Sequence, residues 1–145
     1  MIRLDKREKE IMKKFKHLFK YKDDLKKSLM QFGFECDSGW YDLIERTLER
    51  ISKIVKEKKM DGFYIVQIKE KFGLLRIYYE VENEYKVEDL NKIDDIIQNA
   101  IKESANTCEL CGATENVHRW ICSSFWIKTL CDKCASEIKT CKPRE

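Results

Sequence analysis

One proline, five glycines and two histidines are all that 145 residues hold of those three types. Pro143 stands almost at the C-terminus, so no internal proline breaks a helix, and so few glycines leave few natural turns. There is no linker, repeat or low-complexity tract, and most of the chain is expected in regular elements with short connections. No run of about 18 apolar residues occurs, and the opening MIRLDKREKE carries charges where a secretory signal needs an apolar centre. A membrane-spanning or secreted protein is not expected; a cytoplasmic one is. The length fits one domain of ordinary size.

Charge is abundant instead, at 38% of residues, with 29 Lys and Arg against 26 Asp and Glu for a formal +3. That excess is too small to imply a polyanion partner by itself. Its distribution is uneven: residues 1–35 hold eleven basic and six acidic residues, net +5, which leaves −2 for the remainder. Within this basic segment Leu4, Ile11, Phe15, Leu18, Leu25, Leu29 and Phe32 recur at helical spacing. The pattern predicts an N-terminal helical arm over 1–35, as one long helix or as two broken near Lys22-Asp23-Asp24, ending at Gly33.

A core of helix, hairpin and helix is expected over residues 36–106. Trp40, Leu43, Ile44, Thr47, Leu48, Ile51, Ile54 and Val55 predict a helix capped by Ser38 and ending near Gly62. The period then changes. Two runs rich in β-branched and aromatic residues, 63–71 and 74–81, flank Phe72-Gly73 and read as a β-hairpin. A two-residue loop would place Lys71 opposite Leu74, Lys69 opposite Arg76 and Gln67 opposite Tyr78. In that register Tyr64, Val66, Ile68, Phe72, Leu75, Ile77, Tyr79 and Val81 share the core face. Leu90, Ile93, Ile96, Ile97, Ala100 and Ile101 mark a third helix, roughly 87–106.

Seven cysteines then give the strongest chemical signal. Cys108-x-x-Cys111-Gly and Cys131-x-x-Cys134 form two pairs at the spacing of four-cysteine zinc sites. Four soft thiolates in a closed tetrahedron select Zn2+ in a structural role, with no position open to substrate. Gly112 supplies the left-handed residue such a turn requires. Val117, Trp120, Ile121, Phe125, Trp126, Ile127 and Leu130 predict a second hairpin around Cys122-Ser-Ser, and the second cysteine pair opens a helix over 132–140. Knuckle, hairpin and ligand-bearing helix resemble a treble-clef zinc finger over 107–145, forming one compact unit with the core. His118 and Cys141 are alternates for the ligand set. Cys36 and Cys122 read as small core residues, and free thiols are expected rather than a disulfide framework.

The overall reading is an α+β fold, with helices around a β-hairpin and a C-terminal treble-clef-like zinc finger. On the hairpin face away from the core, Gln67, Lys69, Lys71, Arg76 and Tyr78 form a candidate ligand site. Like charges directly across a strand pair repel, so Lys69 facing Arg76 suits an anion, and the tyrosine ring suits a base. A solvated face partly neutralised by Glu80 and Glu82 is the other reading of the same residues. No nucleophile–base pair, phosphate-binding glycine loop or open metal site stands in the sequence. No catalytic residue is assigned, and a binding protein is expected rather than an enzyme.

Gly39-Trp40-Tyr-Asp-Leu-Ile, the string Lys69-Glu-Lys-Phe-Gly-Leu-Leu-Arg76, and Ser104 before Cys108-Glu-Leu-Cys111-Gly resemble a family of small uncharacterised bacterial and bacteriophage proteins over residues 39–135. The resemblance implies a phage or host-interaction accessory, an anti-defence protein among them, with no activity to carry over. Cys-Glu-Leu-Cys-Gly followed by Val117-His118 also looks like the opening of HNH nucleases. The helix after Cys134 reads Ala-Ser-Glu-Ile-Lys, without the His or Asn those enzymes need. The expected partner is an anionic small molecule or a nucleic acid, without a membrane. The alternatives are a protein-interaction module, as a homo-oligomer through the N-terminal helix or an inhibitor of a host protein, and then a degenerate HNH-like nuclease.

Overall fold

The basic segment forms a much shorter helix than its periodicity predicts. In the computed structural model, which describes residues 4–123, 126–138 and 141–143, α1 spans Lys6–Lys14. A capping box starts it: the Asp5 carboxylate accepts from Glu8 N–H at 2.8 Å, and the Glu8 carboxylate accepts from Asp5 N–H at 3.2 Å. It stops at Phe15, and only short 3-10 turns follow, at Lys16–Leu18 and Met30–Phe32. Local and tertiary bonds outcompete the helix here. Asp24 accepts from the Lys26 amide through its side chain and from the Ser28 amide through its carbonyl. Tyr21 turns edge-on to Tyr64, with ring centroids 4.7 Å apart.

Nor is the segment an arm. Ile11, Phe15, Leu18, Phe19 and Met30 lie in the main core, whereas Leu25, on the predicted stripe, is 55% exposed. Gly33, at φ +70°, turns the chain into strand β1, Phe34–Glu35. A Cβ there would collide with the Glu8 carboxylate, which reaches past it to accept from Phe34 N–H at 2.5 Å. Burial pushes the Glu8 carboxyl up, against the two amides that hold it down.

Helix α2, Tyr41–Glu57, follows a 3-10 turn at Ser38–Trp40 and has no side-chain cap. The expected Ser38 cap is therefore absent, and the neighbouring Asp37 carboxylate is engaged by Lys128 instead. Helix α3 is Val87–Ser104. It packs on α2 and on the hairpin of β2, Phe63–Lys71, and β3, Leu74–Val81. Ser104 ties α3 to the sheet by accepting from Leu75 N–H at 3.0 Å.

The hairpin has the expected register: Lys71 faces Leu74, Lys69 faces Arg76 and Gln67 faces Tyr78. Phe72 at φ 55° and Gly73 at φ 81° form the two left-handed positions of its turn. Glu70 caps that turn, accepting from Gly73 N–H at 2.7 Å. Two parts of the expected face differ. A bulge between Ile65 and Gln67 shifts the alternation, so Phe63 and Ile65 join Ile68, Leu75 and Ile77 in the core. Phe72, held in the left-handed region at the tip, is 62% exposed. β1 pairs in parallel with β2, completing a sheet of order β1-β2-β3.

The C-terminal part has its own sheet and a small separate core. β4, Val117–Cys122, pairs with β5, Trp126–Cys131, as the second expected hairpin; Phe125 lies outside the described residues. α4, Asp132–Glu137, ends earlier than expected, and residues 139–140 lie outside the described residues. β6, Lys142–Pro143, pairs with β4 and gives the order β5-β4-β6. Among the described residues no helix is long and apolar enough to cross a membrane.

Glu82, just after β3, carries a pH prediction. Tyr21 O–H donates to it at 2.7 Å, and Lys20 and Lys27 lie at 3.0 and 3.4 Å. The Tyr21 hydroxyl first, and then Lys20, hold its carboxyl down at about 2. A depressed acid contributes stability above its ordinary value of 4.5 and loses it as the pH falls toward the depressed one. The gap in urea midpoint between wild type and Glu82→Gln is expected to be widest above that value and to close on acidification. A gap that stays constant with pH would refute the coupling.

Candidate metal centre

Cys108 and Cys111 sit on the turn after α3, where the Cys108 amide donates to the Ala113 carbonyl at 2.8 Å and the Gly112 amide returns to the Cys108 carbonyl at 2.8 Å. Gly112 has φ +82°, as expected. Cys131 ends β5 and caps α4, its sulfur accepting from Cys134 N–H at 3.4 Å. A strand end and a helix start thereby present two sulfurs to the two on the turn.

The four ligand atoms all lie within 4.8 Å of one another, and Cys111 Sγ is 3.7 Å from Cys131 Sγ. Sulfurs about 2.3 Å from a tetrahedral ion stand roughly 3.8 Å apart, so the spacing fits a metal cradle. Cys108 and Cys131 are buried, Cys134 is half-buried and Cys111 is exposed. Burial disfavours the Cys108 thiolate, but backbone N–H groups aimed at its sulfur outweigh that and bring it down to about 7. Burial and the neighbouring sulfurs push Cys134 the other way. The Cys108 thiolate forms readily while Cys111 and Cys134 resist, which is the repulsion a divalent cation would relieve.

The two alternates lie elsewhere. His118, exposed on β4, has Nε2 3.3 Å from Asp132 Oδ1. Cys141 is joined to Cys122 by a disulfide, contrary to the expected free thiols. The reason is topological: β6 lies beside β4, with Ile121 opposite Lys142, and this brings residues 19 apart in sequence together. Ligand-spacing rules do not register strand pairing. Cys36 packs half-buried against the main core, and burial pushes its thiol well up.

No family model, curated protein or solved structure matches this chain. The residues themselves therefore carry the reading. Gly39 brings the chain before α2 tightly against the metal turn. Its amide donates to the Glu109 carbonyl at 2.7 Å, and a Cβ there would strike the carbonyls of Cys108 and Glu109. Trp40, fully buried, donates from Nε1 to the Thr107 carbonyl at 2.8 Å. A Gly-Trp dipeptide seats the knuckle.

Beside it is an ion cluster that periodicity did not reveal. Lys128 on β5, 3% exposed, donates to Asp37 at 2.7 Å and stands 3.3 Å from Glu109, which is 2% exposed. The other Glu109 oxygen accepts from Asp37 N–H at 2.9 Å. The Trp126 ring covers Lys128 at 4.3 Å. Burial alone would lower the lysine, but its two carboxylates more than offset this and raise it; burial pushes Glu109 up. The available signals were a lysine inside the apolar run Trp126-Ile127-x-Thr129-Leu130 and a glutamate between two ligand cysteines. Thr129 and Arg119 complete the junction, donating to the Gly73 and Phe72 carbonyls at 2.5 and 2.6 Å.

On the first hairpin, the register sets Gln67, Lys69, Lys71, Arg76 and Tyr78 on neighbouring positions of one face. Arg76 Nε is buried and has no hydrogen-bond partner. Tyr78 is 42% exposed. Glu35 of β1, beside Lys69, accepts from Gln67 at 2.9 Å and adds a carboxylate at the edge. Glu82 is occupied by Tyr21, Lys20 and Lys27.

Proposed function

We propose that this chain is a zinc-stabilised, non-enzymatic binding protein that recognises an anionic ligand, a nucleotide or a nucleic-acid phosphate, through the β2–β3 hairpin. The observation that carries this reading is the Lys69–Arg76 cross-strand pair, in which two like charges face each other and Arg76 Nε has no acceptor. Facing cations cost stability, and a phosphate between them would turn that cost into charge-assisted hydrogen bonds. Lys71 would extend the positive field and Tyr78 would offer its ring to a base.

The Cys108, Cys111, Cys131 and Cys134 set is read as a structural Zn2+ site with a treble-clef-like arrangement. Four sulfur donors and a closed coordination shell support zinc over harder ions. A phage or host-interaction accessory is the setting we infer.

The test is fluorescence anisotropy with a labelled single-stranded oligonucleotide and with methylanthraniloyl-ATP. Lys69→Ala/Arg76→Ala is expected to lower the affinity for one of these probes by at least about tenfold, with metal content and thermal midpoint unchanged. Equal binding by wild type and variant would sink the hairpin site. Deleting residues 1–33 is no usable control, because Ile11, Phe15, Leu18, Phe19 and Met30 belong to the main core.

A further inference from the structure

Helix α1 sorts its cations by flank. Arg7 pairs with Asp42 and Glu45 of α2 at 2.8 and 2.7 Å, and Lys14 lies 3.4 and 3.3 Å from Glu45 and Glu49. On the other flank Lys9 and Lys13, one helical turn apart, have no carboxylate within ion-pair distance among the described residues. The same holds of Lys16 and Lys22 farther along. These four lysines rim one cavity of about 700 Å³. Its floor is apolar, made by Met12, Phe19 and Met30 of the main core with Leu4 at one side. Asp23 is the one carboxylate among the described lining residues.

Like charges one turn apart destabilise a helix, whereas Arg7 and Lys14 on the opposite flank have each found an acid. An unpaired set gathered around an apolar floor is the charge complement of a molecule with an anionic head and an apolar body. The volume lies within the range of small-molecule sites. Methionine side chains adapt to irregular aliphatic shapes. Ammonium groups serve as point charges for phosphate.

We infer that this cavity binds a single-chain anionic amphiphile, an alkyl or acyl phosphate, with its head held by Lys9, Lys13 and Lys16 and its chain entering over Leu4 and the edge of Met12 toward Phe19 and Met30, which are closed to solvent in the free protein. The site is separate from the hairpin and does not depend on it.

The probe is dodecyl phosphate below its micelle concentration, followed by NMR of the protein labelled with ¹³C at the methionine methyls. Met12 and Met30 line the cavity, whereas Met60 is buried away from it and serves as the internal reference. Saturable shifts of Met12 and Met30 with Met60 unmoved are expected. The exposed lysines permit Lys9→Gln/Lys13→Gln/Lys16→Gln, which is expected to weaken binding by about tenfold or more, while Lys69→Ala/Arg76→Ala binds as wild type does. Several results would overturn the site: no saturable shift, equal affinity for uncharged dodecyl maltoside, equal affinity for inorganic phosphate alone, or a triple variant that binds normally. Shifts produced only by an acidic amphipathic peptide would assign the cavity to a protein partner and also overturn it.

Discussion

Cys108→Ser is expected to abolish stoichiometric metal binding and to unfold the C-terminal module while the main core stays folded. The argument rests on how little else holds that module. Among the described residues its small core has five buried members, Cys108, Cys122, Leu130, Cys131 and Ala135, two of them ligand cysteines, with Ala113, Val117, Trp120, Cys134, Ile138 and Cys141 partly buried against them. A cluster this size cannot offset the entropy of ordering the module. A structural zinc ion contributes an apparent ~10–16 kcal/mol in small finger peptides, far more than the remaining contacts supply. The Cys122–Cys141 disulfide restrains β6 against β4 but contributes no sulfur to the four-cysteine set.

Native mass spectrometry should find one zinc per wild-type chain and none in the variant. In amide spectra, β4 and β5 should lose dispersion, while α2 and the buried centre of β2 keep theirs. Cys36→Ser, outside the cluster, should retain both metal and spectrum. A Cys108→Ser protein with wild-type zinc content and an unchanged C-terminal spectrum would refute the metal centre.

What could be read from sequence divides along a physical line. The first hairpin was legible down to its residue partners, because alternation, a two-residue gap and Gly73 all specify the same register. The four-cysteine group was legible because ligand spacing is a local property of tight turns. What failed depended on partners distant in sequence. The helical stripe of residues 4–32 is only partly a helix, since Tyr21 and Asp24 make better bonds outside it. The Val66 bulge is invisible to alternation, and it decides which residues of β2 face the core. Cys141 reaches Cys122 only once β6 lies on β4. The junction of Gly39 with the knuckle was present in the sequence as a Gly-Trp dipeptide, but its meaning required the carbonyls of Cys108 and Glu109 to be in place.

A divalent ion on the four cysteines would also change the electrostatic picture. Four thiolates and one divalent ion would alter the formal charge by −2, taking the chain from +3 to +1 and residues 36–145 from −2 to −4. Against that acidic background, the unpaired lysines beside α1 and the Lys69, Lys71 and Arg76 group are separate local positive fields. Binding at either should weaken with salt to the degree that its own few cations set.

Lys128→Met is expected to be strongly destabilising although it leaves every metal ligand in place. The ammonium sits between Asp37 and Glu109, and its removal strands the Glu109 carboxylate at 2% exposure with only the Asp37 amide as an opposing dipole. Breaking a buried pair from one side costs about 3–5 kcal/mol, because a charge remains in a medium that cannot solvate it. Adding Glu109→Gln should recover part of that loss, since the amide oxygen can still accept from Asp37 N–H while the stranded charge is gone. The two single changes should therefore be non-additive, with a coupling of about 1–3 kcal/mol in urea unfolding of the zinc-loaded protein. Lys128→Met costing less than about 1 kcal/mol, the range of exposed pairs, would show that water reaches Glu109 and that the cluster does not bind the metal module to the core. A full cost without rescue by Glu109→Gln would assign the effect to lost packing under Trp126. The Lys128–Glu109 ion pair would then be a consequence of the docking, with Gly39 and the Trp40 bond to Thr107 left to hold the junction.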